Sequence, residues 1–309
     1  MPLTTSTPKP MIKVAGCPVT EHQIVKARDA GITEIVLATS YLADVFHPYF
    51  GDGSRFGLKI IYAVEEQPLG TGGAIANAAA HLDLHADESI FIFNGDVISA
   101  HDLRHQAELH NDAGADVTLH LVEVEDARAY GCVPTDSHGR VLQFLEKMDN
   151  PIANTINAGC YIFNKSVIDQ IPHGEVVSVE RDTFPKLLNQ DRRIHSVIDS
   201  RYWIDMGTPA SMIKVSRDLI ENPSLSKATP RSSASSLIAP DATIAPSADI
   251  TSGTYIESGV RIDDGARVSG SIIASGATVE SGAVIVDSYI APGSRVVSGS
   301  LLRGEIFGF

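Results

Sequence analysis

Short apolar runs and stretches of helical spacing alternate along the first part of the chain. Residues Thr20 to Ala30 have helical spacing and close on Gly31, a residue suited to ending a helix. Glu34 to Thr39, EIVLAT, then reads as a strand, Tyr41 to Phe50 as a helix ending at GDG, and Leu58 to Val64 as a strand. Gly73 to His81 is predicted helical, Ser89 to Asn94 a strand and Asp102 to Asp112 a helix. Three such alternations with short connections predict βαβ units, hence an α/β fold with a mainly parallel, Rossmann-like sheet.

From Ala115 the pattern turns to strands, with ADVTLHLVEV, YGCVPTD, GRVLQFLEK and INAGCYIF in succession and the turn DSHG at Asp136 to Gly139. This predicts a second, partly antiparallel layer over the ligand edge of the first sheet. Glu180 to Asn189 is then expected as helix, Arg193 to Ile198 and Tyr202 to Asp205 as strands, and Pro209 to Glu221 as a helix with proline in its first turn.

Asn222 to Ser236 is rich in serine and proline and reads as a linker. Beyond it a period of six appears: Ile238, Ile244, Ile250, Ile256, Ile262 and Val268 are six apart, with Ala242, Ala248, Thr254, Val260 and Ala266 four places after each aliphatic residue. The register slips by one residue to Ile273, Val279 and Ile285, and again to Ile290 and Val296. Gly253, Gly259, Gly265, Gly276, Gly282 and Gly293 fall where a sharp corner is needed. A sustained period of six is neither helical nor a plain alternation, and it predicts a left-handed β-helix of hexapeptide repeats. The organisation expected is therefore residues 1–221, a linker at 222–236, and a β-helix at 237–309.

Charge and composition narrow the function. The net charge of −14 disfavours nucleic acid and anionic membrane as partners. Small phosphorylated ligands stay compatible with it, given local cations, backbone N–H groups or a metal. Cys17, Cys132 and Cys160 are odd in number and far apart, which suggests a reducing compartment and no zinc site. No stretch approaches the roughly 18 apolar residues of a membrane span, and the amino terminus lacks the apolar core of a secretion signal, so a cytoplasmic protein is expected.

Two stretches offer chemistry. SIFIFNGD, Ser89 to Asp96, reads as a buried parallel strand that delivers Asp96 to the carboxyl edge of the sheet, where open α/β sheets bind ligands. Taken alone, Asn-Gly-Asp reads first as an ordinary strand-ending turn. EEQPLGTGGAI, Glu65 to Ile75, places glycines between a strand and a helix, where the backbone can approach a flat or phosphorylated ligand; a purely structural turn accounts for it as well.

As an ordered set, STPKPM at Ser6 to Met11, EEQPLGTGGAI, FNGD, FLEK at Phe144 to Lys147, INAGCYIF at Ile156 to Phe163, SVERDTFP at Ser178 to Pro185 and WIDMGTP at Trp203 to Pro209 decide the matter. The chain resembles the sugar-phosphate nucleotidyltransferases, also called nucleoside-diphosphate-sugar pyrophosphorylases, over nearly all of its first 220 residues. Within that family it is most similar to bacterial mannose-1-phosphate guanylyltransferases that carry a hexapeptide-repeat tail.

The resemblance implies magnesium-assisted in-line transfer, in which a sugar 1-phosphate attacks the α-phosphorus of a nucleoside triphosphate and pyrophosphate leaves. GTP and mannose 1-phosphate are the expected substrates; glucose 1-phosphate with UTP or dTTP is the alternative. By the same resemblance Asp96 and Asp205 are the magnesium ligands and Lys9 neutralises phosphate. Glu66, Pro68, Leu69, Gly70, Thr71, Gly72 and Gly95 correspond to nucleotide-binding positions. Glu146, Lys147, Asn157, Gly159 and Glu180 correspond to positions that hold the sugar phosphate.

The match has two departures. Met148 stands where the family usually has proline after the lysine of FLEK. The family's opening strand and GGxGTR loop have no counterpart before Met1-Pro2-Leu3-Thr4, so an in-frame upstream extension of about 25 residues is expected, the size of a small βα unit. The missing loop keeps a binding or regulatory homologue in view, whereas Asp96, Asp205 and Lys147 favour an enzyme. An acyltransferase on the β-helix is disfavoured because no histidine follows His195. The repeat domain is expected to make a homo-oligomer.

Overall fold

The computed structural model describes residues 7–39, 43–145, 147–230 and 235–309. The described chain divides into two compact units, one built from Ala27 to Trp203, the other from the residues up to Lys26 together with Ile204 to Phe309. The elements that position function are strands β1 (Glu34–Thr39), β2 (Lys59–Val64), β3 (Ser89–Phe93), β4 (Val117–Glu123), β5 (Thr155–Asn164) and β6 (Ile194–Ile198). The helices are α1 (Val19–Ala30), α2 (Gly70–Ala79), α3 (Leu103–Asp112) and α4 (Pro209–Glu221).

In the unit from Ala27 to Trp203, β1 and β2 form a parallel pair. A second sheet runs in the order β3, β5, β4, β6. Its β3/β5 and β4/β5 pairs are antiparallel and its β4/β6 pair is parallel. The strand expected at Ser89 is thus present, but its neighbour is antiparallel and four of its five residues are only half-buried. Strands β4 and β5, from the strand-like run after Ala115, join β3 in one sheet. Between residues 132 and 145 the described chain makes isolated bridges, Cys132 to Leu145 and Thr135 to Val141. The DSHG turn forms as expected, with the Asp136 carboxylate accepting from the His138 and Arg140 amides.

Strand β4 is buried on both faces. Val117, Leu119 and Leu121 meet Ile75, Phe163, Phe184 and Leu187 in an apolar core. Thr118 and His120 point the other way, toward α3, where Gln106 donates to the Thr118 carbonyl and the His101 and His120 rings stack at 3.7 Å. The helix expected over Tyr41 to Phe50 is broken: Ala43–Val45 is a single 3-10 turn and His47–Phe50 a separate short helix with proline at its start, while Tyr41 lies outside the described residues. Helix α2 begins three residues earlier than its pattern suggested, at Gly70.

In the other unit the period of six becomes three parallel sheets of stacked short strands, the arrangement of a hexapeptide β-helix. Leu237 pairs with Tyr255, a coil of 18 residues, whereas Tyr255 pairs with Ile272 and Ile272 with Tyr289, coils of 17. Each slip of register falls at the same corner, occupied in successive coils by Gly270 and Asp287, both with positive φ. The aliphatic residues at the period point inward, and those from Ile256 to Val296 are almost completely buried, each contributing roughly 1.5–3 kcal/mol by removal from water.

The first sheet is apolar on its outer side too, for Tyr255, Ile272 and Tyr289 precede the inward residues and are buried. Helix α4 packs against this sheet, and its Arg217 pairs with Asp287 at 2.7 Å. Gly253 sits beneath the helix at φ +65°, where an added Cβ would lie 2.8 Å from the Arg217 carbonyl oxygen. Gly253→Ala is therefore expected to cost about 2 kcal/mol, from left-handed strain plus displacement of α4. A urea titration that leaves the midpoint unchanged contradicts this contact.

Residues 222–230 pack onto the amino-terminal segment of the same unit. His22 binds the Ser226 hydroxyl at 2.7 Å, and an added Cβ on Gly16 would meet Pro230 at 3.0 Å. Among the described residues no helix is long and apolar enough to cross a membrane.

Candidate active site

The carboxyl end of β3 and the middle of β5 build one polar cluster. Asn157, Gly159 and Tyr161 lie on β5 where its register against β4 shifts, between Leu119 and Leu121. The Asn157 side-chain amide donates to the Tyr161 hydroxyl and to Glu180 Oε1, both at 2.8 Å, while its carbonyl oxygen accepts from the Gly159 amide at 3.1 Å. Gly159 has φ +74° and lies against Asn94, whose Nδ2 would be 2.8 Å from an added Cβ. The Asn94 amide in turn donates to the Gly159 carbonyl at 2.8 Å. Only glycine permits this approach.

Burial pushes the Tyr161 phenol well above its ordinary range, opposed by hydrogen bonds from Asn157 and Asn94. The phenol therefore stays a neutral hydroxyl that locks both asparagines. Of the expected sugar-side residues, Asn157, Gly159 and Glu180 are brought together here. Asn94 and Tyr161 join them and were not singled out from sequence.

Gly95 and Asp96 follow in the turn after β3, half-buried, and the Val97 amide closes that turn on the Asn94 carbonyl at 3.4 Å. The Trp203 indole donates to the Ala158 carbonyl at 2.9 Å and meets the Tyr130 ring edge-on, which pins the β5 backbone between Asn157 and Gly159. Lys147 is exposed, two residues beyond the Cys132 to Leu145 bridge. Glu146 lies outside the described residues.

The glycine-rich turn has a structural partner. Glu65 accepts from the Leu69 amide, and Glu66, Pro68, Gly70 and Thr71 are exposed. The Val177 carbonyl accepts from the Gly72 amide at 2.8 Å, and the Val177 amide donates to the Leu69 carbonyl at 2.9 Å. An added Cβ at Gly70 would lie 2.6 Å from the Val177 carbonyl oxygen, and one at Gly73 would lie 2.5 Å from that of Glu175. These glycines therefore admit the segment 175–179 against the start of α2, and the Gly72 N–H does not stand open to a ligand.

Lys9 and Asp205 belong to the other unit. Lys9 opens a single 3-10 turn, Lys9–Met11. Asp205 ends a short strand, Trp203–Asp205, ahead of the buried Met206. An added Cβ at Gly207 would lie 3.3 Å from Asp205 Oδ2, so glycine keeps space beside that carboxylate. Thr208 then caps α4, accepting from the Ser211 amide in a reciprocal capping box. Among the described residues no group of three or more His, Cys, Asp or Glu side chains gathers to hold a metal unaided.

The chain thus joins an α/β unit carrying a polar cluster, in sequence, to a β-helix. The nucleotidyl transferase family profile matches residues 1–222, and the chain belongs to that family. A mannose-1-phosphate guanylyltransferase of Mycobacterium tuberculosis is 50% identical over 220 residues, covering 71% of this chain and 60% of that protein. Mannose-1-phosphate guanylyltransferase 1 of Arabidopsis thaliana is 34% identical over 236 residues, covering 76% of this chain and 64% of that protein. The chain thus spans 60–64% of the length of these relatives. Among solved structures, HddC from Yersinia pseudotuberculosis superposes with a TM-score of 0.60 at 28% identity, covering 69% of this chain and 91% of that one. HddC has also been solved with GMP-PN, a structure that aligns with a TM-score of 0.58 at 29% identity over 69% of this chain and 90% of that one.

Proposed function

We propose that the chain transfers a nucleotidyl group from GTP to mannose 1-phosphate, forming GDP-mannose and pyrophosphate. The observation that carries this reading is the cluster of Asn94, Asn157, Gly159, Tyr161 and Glu180 beside Asp96, in a chain 50% identical over 220 residues to a mannose-1-phosphate guanylyltransferase. A carboxylate and a carboxamide held by one another at a strand end suit the vicinal hydroxyls of a sugar. Polar pairs of this kind reject an analogue that leaves them unsatisfied.

The protein's part in such a transfer is positioning and charge neutralisation rather than covalent chemistry. Glu180 and Asn157 would take sugar hydroxyls, and Lys147 the sugar phosphate, whose oxygen attacks the α-phosphorus while pyrophosphate departs. Lys9 would neutralise triphosphate charge. Asp96 and Asp205 are hard oxygen donors of the kind that suit magnesium, and the space left beside Asp205 by Gly207 fits a ligand there. Magnesium, when bound, supplies charge neutralisation on the phosphates. Among the described residues fewer than three such ligands gather, so phosphate oxygens and water would complete its shell. The three buried, free cysteines favour a reducing, cytoplasmic setting.

The test is pyrophosphate release over four nucleoside triphosphates and several sugar 1-phosphates, on the chain as it stands and with any in-frame upstream residues. GTP with mannose 1-phosphate is expected to give the highest kcat/KM. Preference for UTP or dTTP with glucose 1-phosphate overturns the substrate assignment. Binding of GDP-mannose with no magnesium-dependent turnover of any pair makes the protein a regulatory homologue.

A further inference from the structure

Between the start of α2 and the segment leading to Glu180 lies a short ladder of hydrogen bonds. Three are between backbone groups: Gly72 and Gly73 donate to the Val177 carbonyl, at 2.8 and 3.4 Å, and Val177 donates to the Leu69 carbonyl. The fourth is different, because the Val179 amide donates to the Thr71 hydroxyl oxygen at 2.9 Å. Val179 is buried and begins a single π-helical turn, Val179–Thr183, whose second residue is Glu180. The turn is pinned at its other side by Ser178, whose hydroxyl accepts from Arg181 and whose amide donates to Asp182. Glu180 itself is exposed, and the Asn157 amide is the side-chain donor that orients it.

We propose that Thr71 is a positioning residue for the sugar side of the site: by holding Val179 it sets the π-turn and so places the Glu180 carboxylate against Asn157. This rests on the sugar-phosphate nucleotidyltransferase reading above and moves Thr71 from the nucleotide-binding role that its motif implies. The hydroxyl oxygen is engaged with a backbone amide 108 residues away, and the neighbouring glycines serve the same docking. A loss of this one bond frees the Val179 amide and loosens the carboxylate one residue on. The bond is partly shielded, and a part-buried amide left without its acceptor is destabilised, so the turn would shift rather than stay.

Thr71→Val removes the acceptor at nearly constant shape, and Thr71→Ser restores it. In the valine variant KM for mannose 1-phosphate is expected to rise roughly tenfold, the size of one hydrogen-bond effect, with KM for GTP changed less than twofold. The serine variant should return both values to within about twofold of the parent. Amide exchange in peptides covering 177–182 should accelerate about tenfold in the valine variant alone, with β4 and β5 peptides unaltered.

A rise in KM for GTP with no change for the sugar phosphate overturns the proposal and returns Thr71 to the nucleotide. Faster exchange with both KM values unchanged overturns it too, for the bond would then be structural only. If the parent protein turns over no substrate pair, the enzymatic reading has failed instead. Unaltered exchange in the valine variant would then still refute the link from Thr71 to the π-turn.

Discussion

Under the proposed function, Asp96→Asn is expected to lower kcat about a thousandfold, a loss of roughly 4 kcal/mol of transition-state stabilisation, with the fold intact. The substitution keeps the size of the side chain at a half-buried turn whose backbone is closed by the Asn94 to Val97 contact, so little packing is disturbed. What it removes is the negative charge that the proposed reading assigns to magnesium. Asp205→Asn is expected to act in the same direction, since Gly207 leaves its carboxylate space for a ligand. Asp136→Asn is the control: that carboxylate also ends a turn and accepts two backbone amides, but it lies on the DSHG hairpin. Its loss should leave kcat within twofold, as expected for a surface position. Magnesium titrations of the activity discriminate further. A ligand variant raises the magnesium concentration needed for half-maximal rate, whereas a residue that only shapes the turn does not. Full activity in Asp96→Asn with an unchanged magnesium response removes Asp96 from the metal site.

The sequence was most readable where local pattern and tertiary environment agree. Pro209 to Glu221 is a helix over the residues expected, because proline at its start and the Thr208 to Ser211 box fix one end locally. The β-helix was legible for a similar reason, as each coil repeats the same inward aliphatic and the same corner. Its outer apolar stripe of Tyr255, Ile272 and Tyr289 was hidden, since that stripe depends on α4 lying against it. The order of strands was hidden as well. Strand β4 looks like one face of a separate antiparallel layer until the pairings to β5 and β6 are known.

The site divides along the same line. Asn157, Gly159 and Glu180 were found by motif and do converge, but no local pattern tells that Gly70, Gly72 and Gly73 make room for residues 175–177, a hundred positions away. A glycine cluster before a helix has one appearance in sequence and two possible partners, a ligand or another stretch of backbone. The choice between them is made only by the fold.

Acidification from pH 6.5 to pH 4 is expected to cost about 3 kcal/mol of stability through His22 alone, at about 1.36 kcal/mol per pH unit. This ring is buried, and burial lowers its pKa to about 4, partly opposed by its bond to the Val14 carbonyl. The contacts at Nε2 are Val14 O at 3.1 Å and Cys17 Sγ at 3.2 Å, while Nδ1 meets the Ser226 hydroxyl at 2.7 Å. That pattern assigns the neutral tautomer with the proton on Nε2, and Nδ1 accepting. Protonating Nδ1 would turn the Ser226 contact around and place a charge where water does not reach. Because the folded pKa lies below the unfolded value near 6.5, the unfolded chain binds more protons between the two, and stability falls as pH falls through that window. His110 is displaced in the same direction by burial, so part of the slope will survive in a His22 variant. His22→Gln, which can keep a donor toward Val14, should be less stable than the parent at pH 7 by roughly 1–2 kcal/mol from the lost Ser226 bond. Its stability should then decline less steeply toward pH 4, so that the two curves converge. The measurement is the urea unfolding free energy at half-unit steps of pH. Parallel curves for the two proteins would show that His22 carries none of the acid sensitivity and that its pairing with Ser226 survives protonation.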